Sequence, residues 1–231
     1  MAAVSAARRP AWVTGASGRA ALGLLAAALA FGAAGCRLFD PAKPETPLSG
    51  VPIIIPNYTK IDSCLYYMRV GIEAKAFGQA AYLGTLADSI GRKDGVGFHA
   101  TFDPAVWNAF TGPKQADWNL DLETQFFGVF IKTYSGDYTM AWLPDVDHPD
   151  EYNESDPEVV VHRKYEVHTT LDTGETPLIA VGYADLTFTR VGTRWVLRRW
   201  DDRVDPLVGA QPANDDQRTI GYRRLNFGAG G

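Results

Sequence analysis

The second half of the sequence contains three long segments in which apolar and polar residues alternate. They span residues 158–171, 178–190 and 194–202, and the short turns "DTGE" and "VGT" join them. A period of two is typical of a strand with one buried face, and tight turns join neighbouring strands in antiparallel fashion. The pattern therefore predicts a meander of three long antiparallel strands. In the first of them the apolar side carries Val159, Val161, Tyr165, Val167 and Leu171.

The preceding part of the chain follows helical spacing instead. Leu65, Met68 and Ile72 recur every three or four residues in "TKIDSCLYYMRVGIEAKAFGQAAYLGTLAD", and Gly78 is expected to divide this stretch into a long and a short helix. The stretch "LDLETQFFGVFIKTY" predicts a third helix, whereas "GVGFHATFDP" and residues 137–143 predict strands. Helices followed by antiparallel strands indicate an α+β domain, in which N-terminal helices pack on a curved antiparallel sheet that forms a cone.

The N-terminus combines positive charge, a short apolar run and a cysteine. Arg8, Arg9 and Arg19 precede the uncharged residues 20–35, which are too few for a comfortable membrane span, and "AAGC" ends at Cys36. This segment resembles the lipobox of bacterial lipoproteins. The resemblance implies cleavage before Cys36, lipidation of its thiol and acylation of its new amino group.

An ordinary secretory signal peptide and an uncleaved anchor are the alternatives for this segment. A dinucleotide-binding loop at "TGASG" is excluded, because no buried strand precedes it and a proline-rich linker stands where a second strand should follow. We expect a signal peptide over residues 1–35, a proline-rich tether over residues 36–58 and one folded domain over residues 59–227. Arg37, rather than an aspartate, follows Cys36 and favours the bacterial outer membrane, with the domain facing the periplasm.

The charge balance limits the class of partner. The complete chain has 22 basic and 27 acidic residues, and removal of residues 1–35 takes away three arginines and no acid. An acidic surface argues against nucleic acid and anionic lipid as the main partner. The two cysteines are Cys36 and Cys64, so lipidation of Cys36 leaves Cys64 as a single thiol, which we expect to be a small buried hydrophobe.

Three stretches together carry a family resemblance: "CLYYMRVGIEAKAFGQAAYLGTLADSI", "GYADLTFTRVGTRWVLRRWDD" and the closing "RTIGYRRLNFG". With the order of the elements, they resemble the nuclear transport factor two-like, or cystatin-like, α+β cone from Thr59 to Phe227. Such cones need bulges to curve the sheet. Trp195 and Leu197 share one side of their strand whereas Trp200 has the opposite parity. Burial of both tryptophans therefore requires a β-bulge between them.

The resemblance also implies a pocket between the first helix and the sheet. Some members of the family are enzymes, including ketosteroid isomerases, scytalone dehydratase and polyketide cyclases, and they place a few acids, tyrosines or histidines in the cone. The aromatic residues expected to supply pocket or interface area in this chain are Tyr66, Tyr67, Phe102, Tyr165 and Trp200.

No pair of catalytic residues stands out in the sequence. His162 and His168 share a polar face, but six residues of a strand place them about 20 Å apart. Asp201 and Asp202 follow two arginines and are expected to form salt bridges at a strand end. His99 is expected to be a core or rim residue. We therefore predict no catalytic residue.

The acidic loop, residues 145–157, is expected to be solvated. The EF-hand template fails there, because Pro149 and Asp150 stand where that loop needs an oxygen ligand and a glycine. No His/Cys pair has the spacing of a zinc site. The sequence therefore predicts neither a metal nor a cofactor.

Together these patterns predict a non-catalytic lipoprotein of the bacterial cell envelope, held to the membrane through lipid on Cys36. Its cone is expected to bind a small apolar ligand or another envelope protein, nucleic acid is not expected as a partner, and a homodimer is one expected assembly. The alternative is an isomerase- or dehydratase-like enzyme that uses a single buried acid or histidine in the cone. A purely structural envelope component is a third alternative.

Overall fold

The three alternating segments form consecutive strands of one six-stranded sheet. The computed structural model describes residues 56–153, 155–209 and 218–229. The order across the sheet is β2-β1-β6-β5-β4-β3, in which β1 pairs in parallel with β6 and every other neighbouring pair is antiparallel. The strands are β1 (His99–Thr101), β2 (Trp118–Asn119), β3 (Asp137–Pro144), β4 (Glu158–Thr170), β5 (Leu178–Val191) and β6 (Arg194–Arg203).

The described helices pack on this curved, unclosed sheet and confirm the predicted α+β class. A short 3-10 turn separates the first two helices, and Gly78 stands at the start of the second, where the sequence predicted a break. The first helix packs on β3, where Trp142 Nε1 donates a hydrogen bond to the carbonyl oxygen of Leu65 (3.1 Å). The helices are α1 (Ile61–Glu73), α2 (Gln79–Thr85), α3 (Pro104–Ala109), α4 (Leu120–Thr133) and α5 (Ile220–Ala229).

Strand β6 contains the predicted bulge. The pairing of β5 with β6 shifts by one residue between Thr187 and Phe188, so Arg198 is an extra residue in β6. The bulge reverses the alternation of side chains, and Trp195 and Trp200 are consequently both buried, at 4% and 0% exposure. The prediction that one irregularity brings both tryptophans into the core is confirmed.

Two helices were not predicted from the periodicity. Helix α3 begins with Pro104 at its first helical position, and the carboxylate of Asp103 caps it by accepting a hydrogen bond from the amide of Ala105 (2.7 Å). Helix α5 lies in the closing segment and buries Ile220 and Arg224 among its inward residues. An arginine on the buried side hides the apolar periodicity that would otherwise reveal the helix.

The predicted signal peptide, Cys36 and the tether up to residue 55 lie outside the described residues. Among the helices that the structure describes, none combines the length and the apolar character needed to cross a membrane. Cys64 is fully buried, and its burial raises the pKa of the thiol to about 12. This thiol is therefore protonated at neutral pH and unreactive, as the sequence predicted.

Candidate functional site

The centre of the cone holds a fully buried ion pair. Arg224 extends from α5, and its Nε and Nη2 donate hydrogen bonds to the two carboxylate oxygens of Glu123 on α4, at 2.8 and 2.7 Å. Both side chains are 0% exposed. This bidentate arrangement is the strongest geometry available to a guanidinium and a carboxylate. Two opposite charges therefore lie in the buried interior of the domain.

Two further donors hold the carboxylate of Glu123 in place. The hydroxyl of Tyr82 donates to Oε1 (2.5 Å), and the indole Nε1 of Trp118 donates to Oε2 (2.6 Å). Burial, and then the nearby charge of Glu123, raise the pKa of Tyr82 well above its usual value, so the phenol stays protonated and keeps donating. These two donors come from α2 and β2, so half of the four hydrogen bonds that Glu123 accepts do not involve α5.

Aromatic rings enclose the guanidinium of Arg224. Its Cζ lies 4.4 Å from the ring centroid of Trp200 and 5.8 Å from that of Phe126. Cation–π attraction is strong at such distances when water is excluded. Burial alone would lower the pKa of Arg224, but the carboxylate of Glu123 outweighs it and the pKa is raised. The guanidinium is therefore held charged between one carboxylate and two aromatic faces.

A second buried carboxylate fixes the start of α5. Asp202 on β6 is 2% exposed and accepts hydrogen bonds from the hydroxyl of Tyr165 (2.6 Å) and from the amide of Gly221 (3.0 Å). The amide of Ile220 in turn donates to the hydroxyl of Tyr165 (2.9 Å). Burial raises the pKa of Asp202, although these hydrogen bonds and the charge of Arg224 oppose the rise. Tyr165 and Asp202 thus bind the first turn of α5.

These contacts join into one group, which we call the buried ion cluster. Two of its donors, Nη1 of Arg224 and Nε1 of Trp200, are buried and have no hydrogen-bond partner among the described residues. A buried donor without an acceptor is costly, so these two donors weaken the fit of the cluster. The members of the cluster are Tyr82, Trp118, Glu123, Tyr165, Trp200, Asp202 and Arg224.

The structure places the predicted binding residues in different regions. Tyr165 and Trp200 lie inside the cone, with ring centroids 5.8 Å apart. Phe102 is half-buried and packs between Trp107 and Trp118, so it touches the cluster from one end. Tyr66 is 50% exposed on the surface of α1 and does not line the interior.

The interpretation of the aspartate pair is half correct. Asp201 forms the expected salt bridge with Arg199 (2.6 Å). Asp202 points to the opposite side of the strand and belongs to the buried ion cluster, so the expectation that it forms a salt bridge at the strand end, as Asp201 does, was wrong. Successive residues of a strand face opposite ways, and Asp202 shares the side of Trp200. The alternation of side chains along β6 therefore already indicated that Asp202 is buried.

Sequence reasoning also missed the ion pair at the centre of the cluster. Glu123 lies in the first turn of α4, where an acidic residue favours the start of a helix whether or not it is buried. It stands three and four residues before Phe126 and Phe127, however, and shares their buried face. Its position on an apolar stripe was the signal. Arg224 offered no comparable signal, because α5 itself was not predicted.

The outer side of the sheet carries a second set of charges, which we call the outer-face pairs. Asp185 accepts a hydrogen bond from Nη2 of Arg203 (2.8 Å) and contacts Nδ1 of His162 (2.6 Å). Arg203 also donates to Asp145 (2.9 Å), which brings the start of the acidic loop onto the sheet. Next to them, Arg198 pairs with Glu158 (2.7 Å) and Arg199 with Asp201. Of these residues, all but Arg203 and Asp145 border a shallow depression of about 450 Å³.

The outer-face pairs are not arranged as a metal site. Within the described parts of the chain, no group of three or more histidine, cysteine, aspartate or glutamate side chains is placed to hold a metal ion. His168 lies apart from His162 and contacts the carbonyl oxygen of Thr176 (3.3 Å). The buried carboxylate of Asp145 is satisfied by Arg203 and His148, so the acidic loop docks on the sheet by ion pairing.

The solved structures that are similar to this chain have low sequence identity to it. No family model matches the chain, and no curated protein matches it. The chain is similar to a protein of unknown function from Mycobacterium tuberculosis, with a TM-score of 0.47, 11% identity, and coverage of 73% of this chain and 86% of that one.

Two further structures are similar in the same way. A protein of unknown function with a cystatin-like fold from Nostoc punctiforme has a TM-score of 0.43 and 11% identity, over 63% of this chain and 89% of that one. A proposed dehydratase of the nuclear transport factor two-like family from Streptomyces avermitilis has a TM-score of 0.45 and 9% identity, over 63% and 94%. At these identities and TM-scores, the likeness assigns no activity to this chain.

Proposed function

We propose that this protein is a lipid-anchored, non-catalytic component of the bacterial cell envelope whose cone is a binding module. The observation that favours binding over catalysis is that protein donors occupy the oxygens of both carboxylates in the cone. Glu123 accepts four hydrogen bonds, and each oxygen of Asp202 accepts at least one. A general acid or base needs a proton site within reach of a substrate, and these groups present none while α5 is in place.

The same contacts favour a protein partner over a small apolar ligand. An apolar ligand that replaced Arg224 would leave Glu123 as an uncompensated buried charge. Breaking a buried pair in this way is strongly destabilising. We therefore propose another envelope protein, or a second copy of this chain, as the partner of the outer-membrane-anchored domain.

The anchor is tested on the full-length chain expressed in a bacterium with an outer membrane. Intact mass spectrometry of the wild-type chain should show loss of residues 1–35 and the added mass of the lipid chains on Cys36. The Cys36→Ser variant should lack both changes. Cys64→Ser is the matched control. It should still be lipidated, because it keeps Cys36 and the thiol that it removes is buried in the domain. A wild-type chain that keeps its leader and carries no lipid would reject the anchor.

The binding module is tested on the chain purified from its native host, weighed under native and under denaturing conditions. Cross-linking on intact cells before purification should give one discrete adduct with a defined envelope protein or with a second copy. The adduct should weaken in the Cys36→Ser variant, which is not held at the membrane. A small molecule that leaves only on denaturation would instead name a small ligand and overturn the protein partner.

One observation favours the enzyme alternative. Asp202 is a buried acid with a raised pKa, hydrogen-bonded to Tyr165, and such a pair can donate a proton or hydrogen bond to a carbonyl oxygen. This chemistry requires the first turn of α5 to leave. Turnover of a panel of enolisable ketones should stay at the background rate for the wild-type chain and for Asp202→Asn. Turnover that depends on Asp202 would establish the enzyme and reject the non-catalytic proposal.

A further inference from the structure

The groups that receive Arg224 form a complete receptor without α5. Glu123 and Phe126 belong to α4, and Trp200 belongs to β6. Tyr82 and Trp118 hold the receptor carboxylate from α2 and β2. Helix α5 contributes Arg224, and its Phe227 and Leu225 also pack against the rest of the core, but it is not a strand of the sheet. It can therefore separate from the cone without breaking any strand pairing.

The receptor has the chemistry of a site for a guanidinium. Two parallel hydrogen bonds from one carboxylate match the planar fork of a guanidinium and do not match a point-like ammonium. The two aromatic faces exclude water and attract the delocalised cation. A second carboxylate, that of Asp202, adds negative charge to the same interior. A neutral ligand of the same size would leave these groups unpaired.

The fit of Arg224 is incomplete. Its Nη1 is buried without an acceptor, and Nε1 of Trp200, whose ring lies directly against the guanidinium, is also unpaired. The side chain cannot move to correct this, because the first turn of α5 is held by Tyr165 and Asp202. A guanidinium that is not attached to α5 is free of this restraint.

We propose that the cone is a binding site for an alkylguanidinium group, and that Arg224 occupies the site in cis in place of an external ligand that displaces α5. This inference rests on the proposed function of the cone as a binding module and names the ligand chemistry. Two sources share that chemistry: a free small guanidino compound, and an arginine side chain presented by a partner protein or by a second copy.

The first experiment removes the internal occupant from the full chain, purified in detergent. Arg224→Ala should lower the Tm, and ethylguanidinium at millimolar concentration should raise it again by about 3 °C. Ethylammonium should fail, because it cannot bind in bidentate fashion. The rescue should disappear when Glu123→Gln is added. Arg198→Ala is the matched control, since its guanidinium is exposed, and its Tm should not respond.

The second experiment uses the wild-type chain and does not depend on the folding of any variant. Hydrogen exchange is measured for the amides of Ile220–Leu225, with β4 and β5 as the internal reference. A ligand that replaces Arg224 should speed exchange in α5 by about tenfold or more and leave the strands unchanged. The probes are ethylguanidinium and a peptide with the sequence of residues 218–229, compared with the same peptide carrying Arg224→Ala.

The two probes separate the sources of the ligand. Release of α5 by ethylguanidinium supports a small guanidino compound, and release by the peptide alone supports an arginine on a protein. The proposal is overturned if neither probe speeds exchange in α5, or if a folded Arg224→Ala chain is rescued equally with Glu123→Gln present. If these tests fail while a cross-linked envelope partner is found, the ligand chemistry is wrong and the binding module stands.

Discussion

Asp201 and Asp202 are adjacent in the chain and belong to two contrasting regions of the molecule. Asp201 lies on the outer face, where Arg199 pairs with it in contact with water. Asp202 lies in the buried ion cluster, where Tyr165 and an amide of α5 satisfy it. The two regions contain the same residue types, carboxylates with arginines and tyrosines. They differ in their access to water.

That difference determines what each ion pair contributes. The two charges of an exposed pair give up contacts with water in order to contact each other. Such a pair therefore typically contributes only about 0–1 kcal/mol. A buried pair has lost its hydration, so removal of one partner leaves an uncompensated charge and typically costs about 3–5 kcal/mol. The buried ion cluster therefore fixes the position of α5, whereas the outer-face pairs can be rearranged at little cost. We expect substitutions in the two regions to separate clearly in their effect on stability.

The largest effect is expected for Glu123→Ala. The substitution leaves the guanidinium of Arg224 buried without a counter-ion and removes the acceptor of Tyr82 and Trp118. We expect the free energy of unfolding to fall by about 3–5 kcal/mol, measured by urea unfolding. If the single variant does not fold, Glu123→Gln keeps the shape of the side chain and removes only its charge.

A double replacement sharpens this prediction. Glu123→Leu combined with Arg224→Met replaces the ion pair with apolar side chains and should be more stable than either single variant. Strictly additive losses would show that the two side chains are not coupled, and would contradict the bidentate geometry.

A smaller loss is expected for Tyr165→Phe. The substitution removes the donor to Asp202 and the acceptor of the amide of Ile220, while the ring stays packed against Trp200. We expect the free energy of unfolding to fall by about 1–3 kcal/mol, together with faster hydrogen exchange in α5. Tyr183→Phe on the outer face is the control and should change stability by less than about 0.5 kcal/mol. Equal effects of the two substitutions would remove the distinction between the regions.

Asp145 lies between the two extremes, because it is buried where the acidic loop meets the outer face. Burial alone would raise the pKa of Asp145, but the hydrogen bonds from Arg203, the Asp147 amide and His148 outweigh it and the pKa is lowered. Its folded pKa thus lies below the unfolded value of about 3.9. The stability it contributes is present above that value and is lost as the pH falls through the folded pKa.

We therefore expect Asp145→Asn to cost about 1–3 kcal/mol at pH 7 and progressively less below about pH 4. Urea unfolding at pH 7 and pH 3 measures the difference from the wild-type chain. Asp147→Asn is the control, since that side chain is exposed and should show little effect at either pH. A loss for Asp145→Asn that is as large at pH 3 as at pH 7 would show that packing, and not charge, is responsible.

The smallest effect is expected for Arg198→Ala. Its side chain and that of Glu158 are 48% and 43% exposed, and Arg198 is the bulged residue of β6. We expect a change of about 0–1 kcal/mol that shrinks further in high salt, because water and ions screen the pair. Thermal unfolding at low and high ionic strength provides the measurement. A large loss that does not depend on salt would mean that the bulge, and not the charge, needs this arginine.

Most of the fold could be predicted from periodicity. The alternation in β4, β5 and β6 identified their buried faces, and the opposite parity of Trp195 and Trp200 located the bulge. Both rest on local geometry, since a strand repeats every two residues and a helix about every 3.6. Helix α5 could not be predicted in this way, because the side of the helix that is buried carries the charged residue Arg224.

The candidate site, like the fold, could be predicted only where periodicity applies. The alternation along the strands predicted that Tyr165 and Trp200 face the core, whereas the burial of Asp202 and Glu123 was missed, although their positions carried the signal. Only the tertiary structure decided that Glu123 meets Arg224, which is 101 residues away in the chain. Periodicity specifies which way a side chain points, but the partner that it meets depends on how distant elements dock. In a water-excluded core, the identity of that partner decides whether a buried charge is stable.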